Sequence, residues 1–366
     1  MLVQEILKKT PLYEEHVALG ARIVPFGGWD MPVQYEGILA EYQHTRSAVT
    51  LFDICHMGEF TIEGDCQETG LDQLVTMSLV DLPVKTCRYG LLLNNQGGAI
   101  DDLIVFRLEQ NKWFIVVNGA TTQKDAEHFR KNLKQPNSFK DVSSQTGKLD
   151  LQGPLSRDVL KTLAPGIEKL NYFSFDHFDL LGERALISRT GYTGELGYEI
   201  FFPWNKTKNL WQELLKNSKV KPAGLGARDV LRLEMGYSLY GHELEENISP
   251  LESGLNRFID FNKNFIGKEA LLGQKESGLS RKLIGFVCEN RRTPRAGYKI
   301  YSATEQDIGV VTSGTFSPSL NLGIGLGFVQ SDHGALGEKI FVGDERNKIS
   351  ATITGKSFHK NTSLKN

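Results

Sequence analysis

The chain has 366 residues and a mass of 40.9 kDa, which excludes a single small module and predicts more than one packed unit. Lysine and arginine number 42 and the acidic residues 44, for a net charge of -2, and 40% of residues are hydrophobic. This balance excludes a wholly disordered chain, and the lack of a broad positive charge argues against nucleic acid as the main partner.

The spacing of the cysteines and the shortness of the apolar runs indicate in which cellular compartment the protein works. Four cysteines occur without a CxxC pair, and no run approaches the roughly 20 apolar residues of a membrane span. The first residues also lack the apolar core of a secretory signal. We therefore expect reduced thiols, no metal site, no contact with a membrane and a cytoplasmic location.

Helical and strand patterns mix in the first three quarters of the chain. In chain order we predict a helix at 36–49, strands at 59–62, 103–108 and 113–117, a helix at 121–133, a strand at 149–152, a helix ending at 163, strands at 184–189 and 197–202, and helices at 204–215 and 227–240. Because no steady βαβ rhythm appears, the pattern favours an α+β fold over a doubly wound parallel sheet.

The composition changes near residue 280. Short strand patterns separated by glycine, asparagine and aspartate are predicted at 283–288, 298–301, 309–312, 325–329, 339–342 and 349–353. Regular spacing of this kind is typical of a small all-β barrel or sandwich. We therefore divide the chain into an α+β region at 1–275 and a β region at 280–360, with the boundary in the polar stretch 273–282.

Common catalytic motifs are missing. The sequence contains no P-loop, no HExxH and no GxSxG, which argues against a Walker-type phosphate site, a zinc protease and an α/β-hydrolase. Three less common segments remain as candidates for a site.

The first candidate segment is GGAIDDL at 97–103. It puts two adjacent carboxylates at the start of a strand, where successive side chains point to opposite faces, so only one can face a given cavity. The alternative interpretation has no functional role for the pair: one aspartate belongs to a turn and the other is exposed to solvent.

The second segment, RTGYTGELGYE at 189–199, combines flexible glycines with tyrosines and glutamates. This composition suits a loop that approaches a flat ligand, although a plain hairpin turn would also use it. The third, GLGARD at 224–229, opens a helix with Arg228 in its first turn. A cation there opposes the helix dipole, so we expect Arg228 to be held by a carboxylate of a ligand or of a structural glutamate.

Read together, these segments resemble the T-proteins, the aminomethyltransferases of the glycine cleavage system. Further stretches are similar to the same family: TPLY at 10–13, FGGWDMPVQY at 26–35, LFDICHMG at 51–58 and TSGTFSPS at 312–319. The resemblance covers nearly the whole chain. It implies a multi-domain folate-binding fold around a central channel, with 1–275 as two interleaved α+β subdomains and 280–360 as a C-terminal all-β barrel.

The resemblance also implies the reaction. An aminomethyl group on the dihydrolipoyl arm of the lipoylated H-protein is passed to the co-substrate tetrahydrofolate, which releases ammonia and forms 5,10-methylenetetrahydrofolate. Nitrogen 5 of the folate is the nucleophile, so a carboxylate beside the reacting atoms helps as a base and electrostatically. Asp102 matches the family's catalytic aspartate, which leaves Asp101 as structural.

Further site residues follow from the same resemblance. Glu199 matches the carboxylate that accepts the two donors of the pterin edge, and Glu195 is the nearby alternative. The resemblance assigns the remaining folate contacts and channel-lining positions to Arg228, Tyr89, Tyr172, Tyr192, Met57 and Asn118.

The sequence departs from the family pattern at Cys55, at Phe106 and in the tail at 357–360. We expect the first two to tune packing or one hydrogen bond, and we assign no substrate contact to the tail.

Two other functions remain open. One is a non-catalytic folate-binding relative, which carries a cysteine in its tyrosine-glycine loop where residues 191–195 have none. The other is the folate half of a dimethylglycine or sarcosine oxidoreductase, whose flavin domain is not in this sequence.

Overall fold

The computed structural model describes residues 6–344 and 346–365. Its helices within these ranges are α1 (Tyr13–Ala18), α2 (Ile38–Ser47), α3 (Leu71–Leu74), α4 (Thr122–Asn132), α5 (Ser156–Leu160), α6 (Thr207–Leu215), α7 (Leu225–Glu234) and α8 (Lys268–Ser277). In the part of the chain so described, no helix combines the length and the apolar character needed to cross a bilayer.

The strands of the described residues form three open sheets and a closed barrel. They are β1 (Lys8–Lys9), β2 (Arg22–Phe26), β3 (Trp29–Gln34), β4 (Val49–Asp53), β5 (Gly58–Glu63), β6 (Cys87–Leu93), β7 (Ala99–Glu109), β8 (Lys112–Val117), β9 (Phe139–Asp141), β10 (Thr146–Gln152), β11 (Phe175–Leu180), β12 (Glu183–Ser188), β13 (Gly197–Pro203), β14 (Val220–Pro222), β15 (Arg281–Cys288), β16 (Lys299–Ser302), β17 (Asp307–Ser317), β18 (Leu322–Gln330), β19 (Lys339–Gly343) and β20 (Lys348–Thr354).

A five-stranded antiparallel sheet has the order β6-β7-β8-β5-β9. One of its faces packs on α4, where Leu103 and Val105 join a core with Ala126 and Phe129. The other face carries Ile104 and Phe106 into a separate aromatic cluster. Strand alternation therefore decides that Asp101 lies on the α4 side and Asp102 on the aromatic side.

A six-stranded sheet has the order β11-β12-β13-β10-β4-β14. Leucines 149 and 151 of β10 and Tyr198 of β13 pack in a core on one face, against α5 and α6. Phe201 of β13 points to the other face, where it packs edge-on to Phe106 and Phe114 of the first sheet, with ring centroids 5.6 and 5.1 Å apart. The two sheets thus face each other across an aromatic layer.

The C-terminal strands close into an antiparallel barrel in the order β15-β18-β17-β16-β19-β20. Its interior is filled by alternate apolar residues such as Phe286, Ile300 and Val342. This confirms the all-β prediction for this part of the chain and favours the barrel over the sandwich. In the stretch 273–282, where we predict a boundary, α8 ends at Ser277 and β15 begins at Arg281.

The α+β prediction is confirmed, but some element ends are wrong. The helix predicted at 227–240 begins at Leu225 and stops at Glu234. Gly236 has a φ of +70°, and Tyr237 N donates to Arg232 O at 3.0 Å. This is the hydrogen bonding of a glycine-terminated helix, and it turns residues 237–240 away from the helix axis.

Candidate active site between the two sheets

Polar side chains lie beside the aromatic layer on both facing sheets. Asp102 is two residues before Ile104 on β7, and Glu199 is two residues before Phe201 on β13, so each points to the same face as its apolar neighbour. Ile104 and Phe201 both belong to the aromatic cluster. The two carboxylates that the sequence analysis singled out are therefore presented from the facing sides of the two sheets.

Asp102 is held by two donors. The Tyr89 hydroxyl donates to Oδ2 and the Asn118 side-chain amide donates to Oδ1, both at 2.9 Å. Burial, with the nearby charge of Asp101 second, raises the Asp102 pKa to about 7. A carboxyl with this pKa can both accept and return a proton at neutral pH.

Asp101 is fully buried on the opposite face of β7. It accepts hydrogen bonds from the Asn118 backbone N–H at 3.0 Å and from the Thr121 hydroxyl at 2.9 Å. The Asn118 amide also donates to it at 2.8 Å, so one asparagine joins both aspartates. The alternative of a turn aspartate beside a solvated one is wrong, because both residues lie in β7, Asp101 is fully buried, and Asp102 is only partly exposed and accepts two hydrogen bonds.

Glu199 is buried and bound on both oxygens. The Lys148 Nζ lies 2.8 Å from Oε1, and the Thr190 hydroxyl donates to Oε2. Burial raises the pKa of Glu199, but the Lys148 charge and hydrogen bond, with smaller contributions from Thr190 and Arg228, outweigh it and bring the pKa below its usual value. The group is therefore an ionised acceptor at neutral pH.

Arg228 has a carboxylate partner, as the sequence analysis expects. That partner is Asp150 of β10, which accepts a hydrogen bond from Nη1, and so it is neither a ligand nor the expected glutamate. The guanidinium also lies over the Tyr192 ring, 5.1 Å from its centroid. Burial raises the Asp150 pKa to about 6 even beside this cation.

Tyrosines extend the site. Tyr192 stacks on Tyr237 with centroids 5.7 Å apart and donates its hydroxyl proton to the Ser238 carbonyl. Burial raises the Tyr192 pKa, and the Asp102 charge adds to the rise, which places the two within electrostatic range. Tyr172 is 41% exposed at the outer edge.

The last two candidates differ in their surroundings. The Met57 sulfur lies 3.5 Å from the Lys148 Nζ, beside Glu199. The Glu195 carboxylate instead accepts a hydrogen bond from Arg46 at 2.8 Å and two from Ser363 of the C-terminal segment. Glu195 thus ties the tail to the loop.

Sequence reasoning missed Lys148, Asp150, Tyr237 and Phe258, the last of which packs on Tyr89 with centroids 4.6 Å apart. A signal for the first two exists, since the strand KLDLQ at 148–152 alternates polar residues with leucines. Nothing in the local sequence points to Tyr237 or Phe258, because each reaches the site through the tertiary fold.

Comparison with known proteins identifies the family. Two family models match: the GCVT N-terminal domain over residues 12–263 and the glycine cleavage T-protein C-terminal barrel domain over residues 281–360. The chain is 41% identical to an aminomethyltransferase of Pseudothermotoga lettingae, over 97% of this chain and 98% of that protein. It is 45% identical to an aminomethyltransferase of Halothermothrix orenii, over 92% and 95% of the two chains.

A solved structure agrees with these sequence relatives. The glycine cleavage system aminomethyltransferase T of Bartonella henselae superposes with a TM-score of 0.90 at 32% identity, over 97% of this chain and 99% of that one. The fold and the resemblance predicted from the sequence are thereby confirmed. The chain belongs to the T-protein family, the aminomethyltransferases of the glycine cleavage system.

Proposed function

We propose that the chain transfers the aminomethyl group carried on the dihydrolipoyl arm of the H-protein to tetrahydrofolate, releasing ammonia and forming 5,10-methylenetetrahydrofolate. The observation that carries this proposal is the Asp102 carboxyl, whose pKa is about 7 and which lies on the face of its sheet turned toward the sheet that presents an ionised Glu199. Membership of the T-protein family supports the reaction class.

The bonds that change define what the site must do. The substrate carbon is bonded to the lipoyl sulfur and to an amino nitrogen, and in the product it is bonded to nitrogens 5 and 10 of the folate. The carbon–sulfur and carbon–nitrogen bonds therefore break, and the hydrogens of the two folate nitrogens end on the thiol and on ammonia. Asp102 accepts the proton that nitrogen 5 loses on attack and returns it to a leaving group.

Glu199 is assigned to the pterin ring. A carboxylate has about four acceptor sites, of which Lys148 and Thr190 occupy two, so the others can accept the amide N–H and the amino group of the pterin edge. We assign Arg228 to a polar atom of the folate, because its guanidinium keeps donors beyond those that bind Asp150.

The other candidates frame these groups. Tyr89 and Asn118 hold the Asp102 oxygens through the contacts described above. Tyr172 and Tyr192 are assigned to the walls around the folate, Met57 to the channel lining, and Glu195 to the support of the loop. The region at 1–275 would then bind folate, and the barrel at 280–360 would close its outer side.

We further propose the lipoylated H-protein as the protein partner and the cytoplasm as the location. The four cysteines are free and buried, as is usual in a reducing compartment. The H-protein is required by the chemistry, because the aminomethyl group must be delivered on a carrier thiol.

A coupled assay tests the proposal. Aminomethylated H-protein and tetrahydrofolate are mixed with and without this protein, and ammonia and methylenetetrahydrofolate are followed together. We expect both products in equal amounts, dependent on this chain. Folate binding without turnover would instead support the non-catalytic relative and overturn the transferase.

A further inference from the structure

The inner face of β10 carries buried polar side chains that the mechanism above does not explain. Lys148, Asp150 and Gln152 are 1%, 0% and 0% exposed. The two leucines between them pack in the core on the other face of the sheet, so alternation directs the polar three toward the active site. Burying such groups is unfavourable unless each is paired. Three of them in one central strand therefore indicate that each has a specific partner. We call these three residues the β10 ladder.

Each member of the β10 ladder holds a different part of the site. The contacts are Lys148 to Glu199, Asp150 to Arg228, and Gln152 to the Thr190 carbonyl and the Thr193 hydroxyl. Strand register makes the first contact possible, because Asp150 lies directly opposite Glu199 in the β10–β13 pair and Lys148 is its neighbour on the same face of β10. The ladder therefore connects both predicted folate-binding side chains to one rigid strand.

The contact between Lys148 and Glu199 is the most enclosed of these. The side chains are 1% and 6% exposed, and Nζ lies 2.8 Å from Oε1. The lysine stem reaches past Phe201, whose ring centroid is 5.0 Å from Nζ. The Cys55 sulfur accepts the Lys148 backbone N–H at 3.2 Å, which adds to the anchoring of the strand.

Building on the proposed function, we propose that Lys148 is a positioning residue for tetrahydrofolate: its ammonium keeps the buried Glu199 carboxylate ionised and directed at the pterin donors. A buried carboxylate without a counter-ion takes up a proton or turns toward another donor. A protonated Glu199 would lose one of the acceptor positions that a two-donor pterin edge requires. Lys148 thus acts through Glu199 and touches no reacting atom.

Other groups also act on Glu199. Besides Lys148, the ionisable side chains of the described residues that interact electrostatically with Glu199 include Asp150, Arg228, Glu59, Cys87 and Tyr172. Among these, Arg228 is the cation, and it is already paired with Asp150. Removing the Lys148 charge therefore leaves Glu199 with no cation in direct contact among the described residues, and its pKa should rise.

The test is Lys148→Met, which keeps the unbranched stem and removes the charge. Tetrahydrofolate Kd is measured by calorimetry from about pH 5.5 to about pH 8.5, together with turnover in the coupled assay. We expect Kd at neutral pH to weaken by about tenfold or more, while kcat at saturating folate changes by less than about threefold. Kd should also become pH-dependent, improving as pH rises through the raised Glu199 pKa.

Four further variants make the result specific. Lys148→Arg restores a cation and should recover most of the affinity, and Lys112→Met removes an exposed lysine, 50% accessible, on another strand and should leave Kd as in the wild type. Glu199→Gln and the double variant Lys148→Met/Glu199→Gln should have equal Kd within about twofold, because Lys148 then has no charge to hold. Neither of these two variants contains an unpaired buried carboxylate, so their comparison still tests the role of Lys148 if Lys148→Met does not fold.

The outcomes separate the two proposals. A folded Lys148→Met protein with wild-type Kd at every pH overturns the role of Lys148, as does a further loss of affinity in the double variant relative to Glu199→Gln. Wild-type protein that binds no folate overturns the proposed function itself.

Discussion

Substitution of Asp102 by asparagine tests the centre of the proposed mechanism. The amide has nearly the same shape as the carboxylate, so the packing between the sheets is kept. It cannot act as a base, but its carbonyl oxygen can still accept the hydrogen bond of the Asn118 amide, with its NH2 group toward the Tyr89 hydroxyl, which can accept as well as donate. We expect tetrahydrofolate binding to persist, because the proposed function assigns the pterin to Glu199 on the facing sheet.

The magnitude follows from the loss of the base. Positioned acid–base groups contribute about 100-fold to 10,000-fold, so we expect transfer to fall by about 100-fold or more, which is about 2.7 kcal/mol in activation free energy. Because the Asp102 pKa is about 7, about half of the wild-type molecules carry the ionised base at pH 7. The ratio of wild-type to variant rates should therefore grow by about twofold as pH rises to about 9.

Single-turnover transfer from aminomethylated H-protein, followed from about pH 5.5 to about pH 9, measures this effect. The wild-type rate should fall as pH drops through about 7, since protonation removes the base, and the asparagine variant should show no such step. The matched control is Asp101→Asn: it removes the neighbouring charge that raises the Asp102 pKa, so its step should move to lower pH. Wild-type turnover in Asp102→Asn, or the same pH step in that variant, would refute the assignment.

Three other predictions follow from neighbouring contacts. Tyr89→Phe removes a hydrogen bond that lowers the Asp102 pKa, so the pH–rate step should move above about 7 and the rate at pH 7 should drop by about threefold; a step at the wild-type position would count against this contact. Glu199→Gln removes a charged acceptor and should weaken tetrahydrofolate Kd by about 10-fold to 100-fold, with a smaller effect on kcat; an unaltered Kd in calorimetry would reject Glu199 as a folate ligand. Arg232→Met removes the guanidinium that lies 3.1 Å from the buried Glu243 carboxylate. The carboxylate is then buried without its cation, so the free energy of unfolding in urea should fall by about 3–5 kcal/mol. A fall below about 1 kcal/mol would show that other groups compensate for the lost guanidinium.

Alternation along single strands was determined by the sequence. In DDLIVF the period of two sends Asp101 and Asp102 to opposite faces. In YEIFF it separates Glu199 and Phe201 from the alternating core residues of the same strand. The spacing of the C-terminal strands likewise predicts an all-β unit, and the closed barrel is what the structure adds. These inferences succeed because each depends on covalent geometry within a few residues.

Strand pairing across long distances was decided only by the tertiary structure. Pairing of β10 with β13 sets Asp150 opposite Glu199 and allows Lys148 to reach that carboxylate. The helix-ending glycine at 236 redirects the chain so that Tyr237 stacks on Tyr192. Which strands become neighbours depends on how whole cores pack. The choice balances the burial of apolar surface against the entropy cost of closing the loops between the strands, and no short sequence pattern contains that information. For this reason the sequence predicted the carboxylates Asp102, Glu199 and Glu195, whereas the fold supplied the cations Lys148 and Arg46 that hold the last two.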